Sequence, residues 1–356
     1  SGVAAKVLVS QLDNVENNSG EVHVDVNNAD IKGLDAADIA KIDMMHLAGA
    51  TMDISGAQIT GDKVAFGDSM VQSVTMTSDQ FGALANASGV ISDENLTIMD
   101  TVTVKIDGAD GLSGLTASGN LVASAELIDN IVISGAGTAS GVDLTPMTDF
   151  DGAIKLVSSA NAGQYKLTLS ADQFNMLNST TPLKADSEVT IKLSDKADTV
   201  TLTKAVDTVV FEANAGNNTD VIKGFTAGSG GDKLDFSSAY TYSKLIEGDN
   251  NASAADALSA LADAAASGSG NLSGAAFVFN GTVNELQDTI KTAAADTDWY
   301  LASGDSALAF VGNVVDGATT FSVYEVTGKG GDAEEIHLVG TVQVDHGTAL
   351  DVANFA

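Results

Sequence analysis

The sequence lacks cysteine and arginine altogether, and each absence excludes a kind of chemistry. Without cysteine the chain can form no disulfides and offers no thiolate nucleophiles or thiolate metal ligands. All 16 basic residues are lysines, so the guanidinium groups that hold phosphates and carboxylates through two hydrogen bonds are missing too. Aromatic residues, the usual lining of ligand pockets, make up only 5% of the chain.

Positive charge is scarce, since 48 acidic residues stand against 16 basic ones and the formal net charge is -32. A field of this sign repels phosphates, so we expect neither nucleic acid nor an anionic membrane surface as a partner. The same field attracts cations. No apolar run approaches the ~18 residues that a membrane-spanning helix requires, so no membrane span is expected.

Alternation of apolar and polar residues with a period of two is the main pattern that is present. It recurs in short segments bounded by Gly, Asn or Asp, with Thr and Ser at the outward positions of the expected strands. These segments are Glu21–Val26, Thr101–Ile106, Asn130–Ser134, Tyr165–Ser170, Glu188–Leu193 and Thr319–Val326. The pattern predicts a mostly β fold of elongated, repeat-containing modules, of β-solenoid, β-roll or sandwich-like type, with a few short helices.

An internal repeat organises the first half, because "TMTSDQFGAL" (Thr75–Leu84) matches "TLSADQFNML" (Thr168–Leu177) at an offset of 93 residues. In each copy a strand is predicted to end at a hydroxyl residue that caps a short helix. A glutamine three residues later closes a capping box, and a phenylalanine and a leucine turn to the core. The residues concerned are Thr77, Gln80, Phe81 and Leu84 in one copy and Ser170, Gln173, Phe174 and Leu177 in the other. A more divergent third copy is "GLDAADIAKIDMMHL" (Gly33–Leu47).

Three regions are predicted from these patterns. Repeated β-rich modules occupy 1–193, with units around 70–105 and 163–198. The turn-rich segment 194–240 follows, and a β-rich module with helices near 253–267 and 282–294 occupies 241–356.

In the segment 194–240, short apolar-rich stretches repeatedly begin with an aspartate. In "ADTVTL" (Ala197–Leu202) and "VDTVVF" (Val206–Phe211) they stand nine residues apart, a step that suits one coil of a parallel β-roll whose turns present oxygen ligands to an ion. The candidate calcium ligands are Asp198, Asp207, Asn217, Asp220, Asp232 and Asp235, assisted by backbone carbonyls near Gly216 and Gly230. Solvated turns are the alternative, since Asp and Asn are ordinary turn formers.

"AGNNTDVI" (Ala215–Ile222) and "GSGGDKLDF" (Gly228–Phe236) resemble the calcium-binding repeats of RTX proteins, which are exported by type I secretion. The hairpin pattern after residue 300 and the final "ALDVANFA" are similar to the C-terminal modules of such proteins. Together with the Thr, Ala, Gly and Asp-rich composition, these segments resemble bacterial surface-layer proteins and repeat adhesins. The resemblance implies bound Ca²⁺, export by type I secretion, in which an uncleaved C-terminal signal replaces an N-terminal one, and a place at the cell surface.

Weaker candidates lie outside this segment. "IDGADG" (Ile106–Gly111) and "TDFDG" (Thr148–Gly152) resemble fragments of calcium loops, with Asp107, Asp110, Asp149 and Asp151 as possible ligands, but without the bidentate Glu of an EF-hand. The histidines His23, His46, His337 and His346 show no zinc-motif spacing and are expected to be solvated or in the core. With no nucleophile–base motif either, the chain is expected not to be an enzyme.

Two classes of function remain. The first is an extracellular structural protein, a surface-layer or matrix subunit that assembles with itself into a lattice or oligomer through bound calcium. The second is an adhesin, or a module of a larger secreted protein, that binds carbohydrate or another surface. Cell-surface polysaccharide is a further candidate partner.

Overall fold

The structure is a computed structural model that describes residues 22–26, 31, 34–47, 50–57, 64–66, 73–86, 101–107, 128–134, 141–148, 150–157, 165–177, 187–212, 219–237, 244–246, 274–280, 282, 284, 287, 301–315, 318–328, 335–344, 350 and 352–356. These residues are mostly in β-strands. The chain divides into two compact units, of which unit 1 comprises Ser1–Lys166 and Met176–Pro182 and unit 2 comprises Leu167–Asn175 and Leu183–Ala356. The three-region division made from the sequence stays a prediction.

The strands of unit 1 are short, and its two sheets consist of parallel pairs. In chain order they are β1 (His23–Val26), β2 (Met44–Leu47), β3 (Thr51–Asp53), β4 (Val64–Phe66), β5 (Ser73–Thr77), β6 (Thr101–Asp107), β7 (Asn130–Ser134), β8 (Val142–Asp143) and β9 (Ala153–Val157). One sheet has the order β1-β2-β4 and another the order β3-β5-β6-β7-β9. The successive strands β2 to β5 therefore alternate between two sheets.

The core of unit 1 follows the period-two pattern of its strands. On β5 the inward residues Val74 and Met76 are buried, while Ser73, Thr75 and Thr77 lie half-exposed between them. The β-branched residues on β6 and β7 continue this buried face. Its central members are Val102, Val104, Ile106, Ile131 and Ile133. Each neighbouring strand thus adds a row of apolar side chains to one continuous layer.

The predicted strand–cap–helix repeat is confirmed in both copies. Helix α2 (Ser78–Asn86) follows β5, and α3 (Ala171–Asn175) follows β10 (Lys166–Ser170). In each copy the hydroxyl accepts from the glutamine N–H at 3.2 Å and the glutamine Oε1 accepts from the hydroxyl residue's N–H at 3.0 Å, with the pairs Thr77–Gln80 and Ser170–Gln173. The phenylalanines that follow the two glutamines, Phe81 and Phe174, are both buried.

The divergent third copy has the same start. Helix α1 (Ala36–Ile39) begins at a capping box in which Asp35 and Asp38 take the places of the hydroxyl residue and the glutamine. Of the two leucines predicted to face the core in the first two copies, Leu84 lies outside the described side chains and Leu177 is only half-buried.

Unit 2 contains two sheets, between which the strands from β11 to β16 alternate. Its strands are β10, β11 (Glu188–Lys192), β12 (Thr199–Thr201), β13 (Val206–Val210), β14 (Asp220–Phe225), β15 (Lys233–Asp235), β16 (Lys244–Ile246), β17 (Ala275–Asn280), β18 (Ser306–Val315), β19 (Ala318–Thr327) and β20 (Glu335–Val344). One sheet includes β15-β13-β11-β10 and the other is ordered β12-β14-β20-β19-β18-β17-β16. The pairs β11–β13, β13–β15, β12–β14 and β14–β20 are parallel.

The strands β18, β19 and β20 form the antiparallel part of unit 2, as the predicted hairpin pattern after residue 300 required. Aromatic rings fill the core of this unit. Phe211 stacks on Phe236 with centroids 4.3 Å apart, and Phe310 meets both Phe236 and Phe355 edge to face. The helix predicted near 253–267 lies outside the described residues, as does most of that near 282–294.

Candidate functional site: the strand-start aspartates

An aspartate stands at or beside the first residue of each strand from β12 to β15. We call these residues, Asp198, Asp207, Asp220 and Asp232, the strand-start aspartates. In each case the residue two positions later is buried, and these residues are Val200, Val209, Ile222 and Leu234. Strand β14 also has a bulge between Ile222 and Phe225. All four aspartates are buried, and Asp207 and Asp232 are fully enclosed at 0% exposure. Because period two places an inward aspartate in line with the inward apolar residues, these carboxylates point into the protein.

Three of these carboxylates close the turn that precedes their own strand. Asp198 Oδ2 accepts from the Ser194 N–H at 2.6 Å, and Asp207 Oδ2 accepts from the Thr203 N–H at 2.8 Å. Asp232 Oδ2 accepts from the Thr226 N–H at 2.7 Å. These bonds satisfy backbone donors that a tight turn leaves without a carbonyl partner.

The strand-start aspartates also form two pairs across neighbouring parallel strands. The Asp198 N–H donates to Asp220 Oδ1 at 2.9 Å, which joins β12 to β14. The Asp207 N–H donates to Asp232 Oδ1 at 2.9 Å, which joins β13 to β15. In both pairs the acceptor lies directly opposite the donor on the neighbouring strand of the sheet. The carboxylate therefore continues the hydrogen bonding of the parallel strands beyond the last regular bond.

Unit 1 contains the same bond at two of its strand starts. Asp43 Oδ2 accepts from the Val22 N–H at 2.7 Å, and Asp129 Oδ2 accepts from the Val102 N–H at 2.7 Å. The register of β1–β2 and of β6–β7 again makes donor and acceptor equivalent positions of neighbouring strands. The carboxylate–backbone bond is therefore a recurring structural device of this chain.

Burial weakens three of the strand-start aspartates as acids. Burial raises the pKa of Asp207 to about 7, and the charge of Asp232 adds to the rise while hydrogen bonds from Thr203 oppose it. Burial likewise raises the pKa of Asp220 and of Asp232 to about 6, against the lowering effect of their backbone hydrogen bonds. Among the described residues no lysine or histidine lies within ion-pair distance of these three groups. Asp207, Asp220 and Asp232 therefore favour protonation or a bound cation over a bare buried charge.

The turn between β14 and β15 is held by a residue from far along the chain. The buried Asn354 side chain accepts from the Gly228 N–H at 2.8 Å and donates to the Asp232 carbonyl at 2.8 Å. Its neighbour Phe355 bridges to Leu234 on β15, and the Ala356 N–H donates to the Leu234 carbonyl at 3.1 Å. Segment 352–356 thus covers β15, the last strand of its sheet.

The other predicted calcium ligands are placed differently. Asp235 lies on β15 and accepts from the Ser237 N–H at 2.8 Å, apart from the two buried pairs. Asp107 ends β6, and Asp151 is exposed. Asn217, Asp110 and Asp149 lie outside the described residues, as does Gly216. Within the described part of the chain, no group of three or more His, Asp or Glu side chains is arranged around a common metal position.

A second polar cluster, in unit 1, contains Asp53, Ser55 and Lys105. Lys105 Nζ donates to Asp53 Oδ2 at 3.1 Å and to Ser55 Oγ at 2.9 Å, and Ser55 Oγ donates to Asp53 Oδ1 at 2.6 Å. Although burial acts to raise it, hydrogen bonds from Ser55 and Lys105 hold the pKa of Asp53 below its ordinary value. The bond between Lys105 and Asp53 ties β6 to β3.

Sequence reasoning missed two features of this arrangement. It did not assign Asn354 a role, and it took the histidines to be scattered, whereas His23 and His46 lie side by side on β1 and β2. The sequence did contain a signal for β2, the strand that carries His46, because "DMMHL" (Asp43–Leu47) begins with an aspartate as the strands of unit 2 do.

No protein-family model, curated protein or solved structure matches this chain. Among the described residues, no helix has both the length and the apolar character needed to cross a membrane. What the fold and the site define is a class: a mostly β protein with parallel strand pairs in both units, joined by carboxylate–backbone hydrogen bonds whose acceptors are buried in unit 2.

Proposed function

We propose that the protein is an extracellular structural protein, a surface-layer or matrix subunit, that assembles with itself and binds calcium. The proposal rests on the two buried aspartate pairs of unit 2, Asp198–Asp220 and Asp207–Asp232. In each pair a carboxylate oxygen of one aspartate accepts a hydrogen bond from the backbone N–H of the other, so the side chain joins two strands, as expected of a scaffold. Each pair also brings two acidic groups close together. A catalytic carboxylate instead leaves its oxygens directed at a substrate.

The strands β11 to β15 alternate between two sheets and pair in parallel within each, which supports a β-roll-like winding of this region. Such a winding stacks coil on coil, so each coil repeats the acidic position of the previous one. A divalent cation bound near the stack would offset the mutual repulsion of the carboxylates and would order the turns.

Calcium is the proposed cation because carboxylate and carbonyl oxygens are hard ligands that suit it, and flexible turns tolerate its six to eight ligands. The carboxylates of Asp207 and Asp232 already accept backbone hydrogen bonds, but an ionised carboxylate has about four acceptor positions, so acceptor capacity remains for an ion. The peptide carbonyls of the turn 226–231 lie next to Asp232 and provide further oxygens.

Self-assembly is tested by sedimentation velocity and electron microscopy of the full chain, in EGTA and in millimolar Ca²⁺. We expect calcium-dependent growth in mass and ordered assemblies. A chain that stays monomeric at high concentration in calcium contradicts the structural role, and glycan binding by that monomer would identify the adhesin class instead.

Calcium binding itself is tested by thermal unfolding of the same samples. Binding at 100 times the dissociation constant stabilises a folded protein by about 2.7 kcal/mol per site. The double variant Asp220→Ala/Asp232→Ala should lose this stabilisation, whereas Asp195→Asn, an exposed change in a turn of the same region, should retain it. An unchanged midpoint in the parent protein on adding calcium refutes the calcium role.

A further inference from the structure

Two histidines lie together on the surface of unit 1. His23 on β1 and His46 on β2 place Nδ1 and Nε2 3.2 Å apart, with ring centroids 5.3 Å apart and planes inclined by 33°. The strands are parallel neighbours in which Asp25 is the direct partner of His46. Because side chains two residues apart share a face of a strand, His23, Asp25 and His46 all lie on the same face of the sheet.

The distance between the two ring nitrogens suits a shared metal ion. Zinc–nitrogen bonds to histidine are about 2.0–2.1 Å long, and two such bonds at a tetrahedral angle put the nitrogens about 3.3 Å apart. The nitrogens already stand at nearly this separation, so a metal ion can replace the single hydrogen bond between them with little movement of either ring. His23 is exposed and His46 half-buried, which leaves the pair open to solvent.

The surroundings favour a cation. Asp25 is exposed beside His46 on the same face, and the chain as a whole carries a net charge of -32. Imidazole nitrogen selects zinc, copper and nickel, whereas calcium prefers oxygen ligands. The chemistry of this pair therefore differs from that of the strand-start aspartates.

We propose that His23 and His46 form a binding site for a divalent transition-metal ion of the zinc–copper–nickel group, with water completing its coordination. Two protein ligands are sufficient for a reversible site. Asp25 strengthens it by its charge and by accepting a hydrogen bond from a metal-bound water. The site is independent of the calcium proposed above.

The test is isothermal titration of the full chain with Zn²⁺ in the presence of millimolar Ca²⁺, which occupies the general acidic surface. We expect one saturable zinc site per chain. Removing an outer partner of a metal typically costs about 10–100-fold in affinity, so removing a ligand by His23→Ala or His46→Ala should cost at least about tenfold. Asp25→Asn should weaken binding less than either histidine variant does.

The matched control is His337→Ala on β20, since that histidine is exposed and lies 3.4 Å from Glu335. It should leave the zinc affinity unchanged. Electron paramagnetic resonance of bound Cu²⁺ should show two nitrogen ligands in the parent protein and fewer in the His23→Ala and His46→Ala variants. Equal zinc affinity in the parent and in both of these variants, or no saturable site, would mean that the histidines form a hydrogen-bonded pair only.

Discussion

The strand-start aspartates show how one residue type can serve both local and longer-range bonding. Asp232 is the clearest example, because its two oxygens accept from two different backbone donors, Thr226 N–H and Asp207 N–H. Asp207 accepts one backbone bond, from Thr203, and its partner strand supplies no second one. Position 232 therefore needs both carboxylate oxygens for its backbone bonds, whereas position 207 needs only one.

We predict that Asp232→Asn destabilises the protein and that Asp207→Asn does not do so to a comparable degree. Asparagine has one acceptor oxygen, so at position 232 its NH₂ group would face a buried backbone N–H, at a cost of about 1–3 kcal/mol. At position 207 the single oxygen can still accept from Thr203, and the change removes a buried charge. Urea unfolding of both variants at pH 8 measures the difference, and equal losses would contradict it.

The sequence identified these aspartates but not their partners. An aspartate before an apolar alternation has the same appearance whether its oxygens bind an ion or a backbone N–H. The distinction depends on which strand lies beside it, and the Asp207–Asp232 bond spans 25 residues. The sequence alone does not give that pairing, since it depends on the length of the intervening turns and on the sheet to which each strand belongs.

At the scale of elements, the repeat copies show which local rules could be predicted. The capping boxes of α2 and α3 were read from residue type and spacing, and several strand ends agree with the alternation to within a residue. The alternation of successive strands between sheets was harder to predict, because period two gives the inward face of a strand but not its neighbours. Gln80 illustrates this, since its amide also donates to the carbonyls of Ile54 at 2.9 Å and Ala57 at 3.0 Å.

We predict that Thr77→Val and Ser170→Ala each lower the free energy of unfolding by about 0.5–2 kcal/mol, because each removes the acceptor that caps a helix. The matched control is Thr75→Val, on the same strand and the same half-exposed side as Thr77, which should be close to neutral. Chemical denaturation provides the measurement. A loss at Thr75 as large as that at Thr77 would show that the outward threonines matter for the strand and not for the cap.

At the scale of the molecule, the charge of -32 and the buried carboxyls together set the response to pH. The pKa values of Asp207, at about 7, and of Asp220 and Asp232, at about 6, all lie above the 3.8 of an ordinary aspartate. The folded protein therefore retains protons that the unfolded chain has already released. The stability that these groups contribute is fully present below pH ~4 and is lost as the pH rises through 6 to 7.

We predict that in EGTA the free energy of unfolding is lower at pH 8 than at pH 5, by about 5 kcal/mol if the three groups act independently, since one pKa unit corresponds to about 1.4 kcal/mol. Urea titrations at the two pH values measure this change. The variant Asp207→Asn should show a smaller pH dependence, because it lacks the carboxyl with the highest of these pKa values. A free energy of unfolding that increases from pH 5 to pH 8 would be the opposite result.

The order in which unit 2 can be built during synthesis follows from how far apart its bonded residues lie. The Asp198–Asp220 and Asp207–Asp232 bonds join residues 22 and 25 positions apart, so they can form soon after each strand leaves the ribosome. The contacts of β14 with β20 and of Gly228 with Asn354 span 121 and 126 positions. At a synthesis rate of 5–20 residues per second, the later partner of each contact is made roughly ten seconds after the earlier one. During that interval one edge of β14 and one edge of β15 lack their final neighbours, and the nascent chain is most open to pairing with another copy at these two edges.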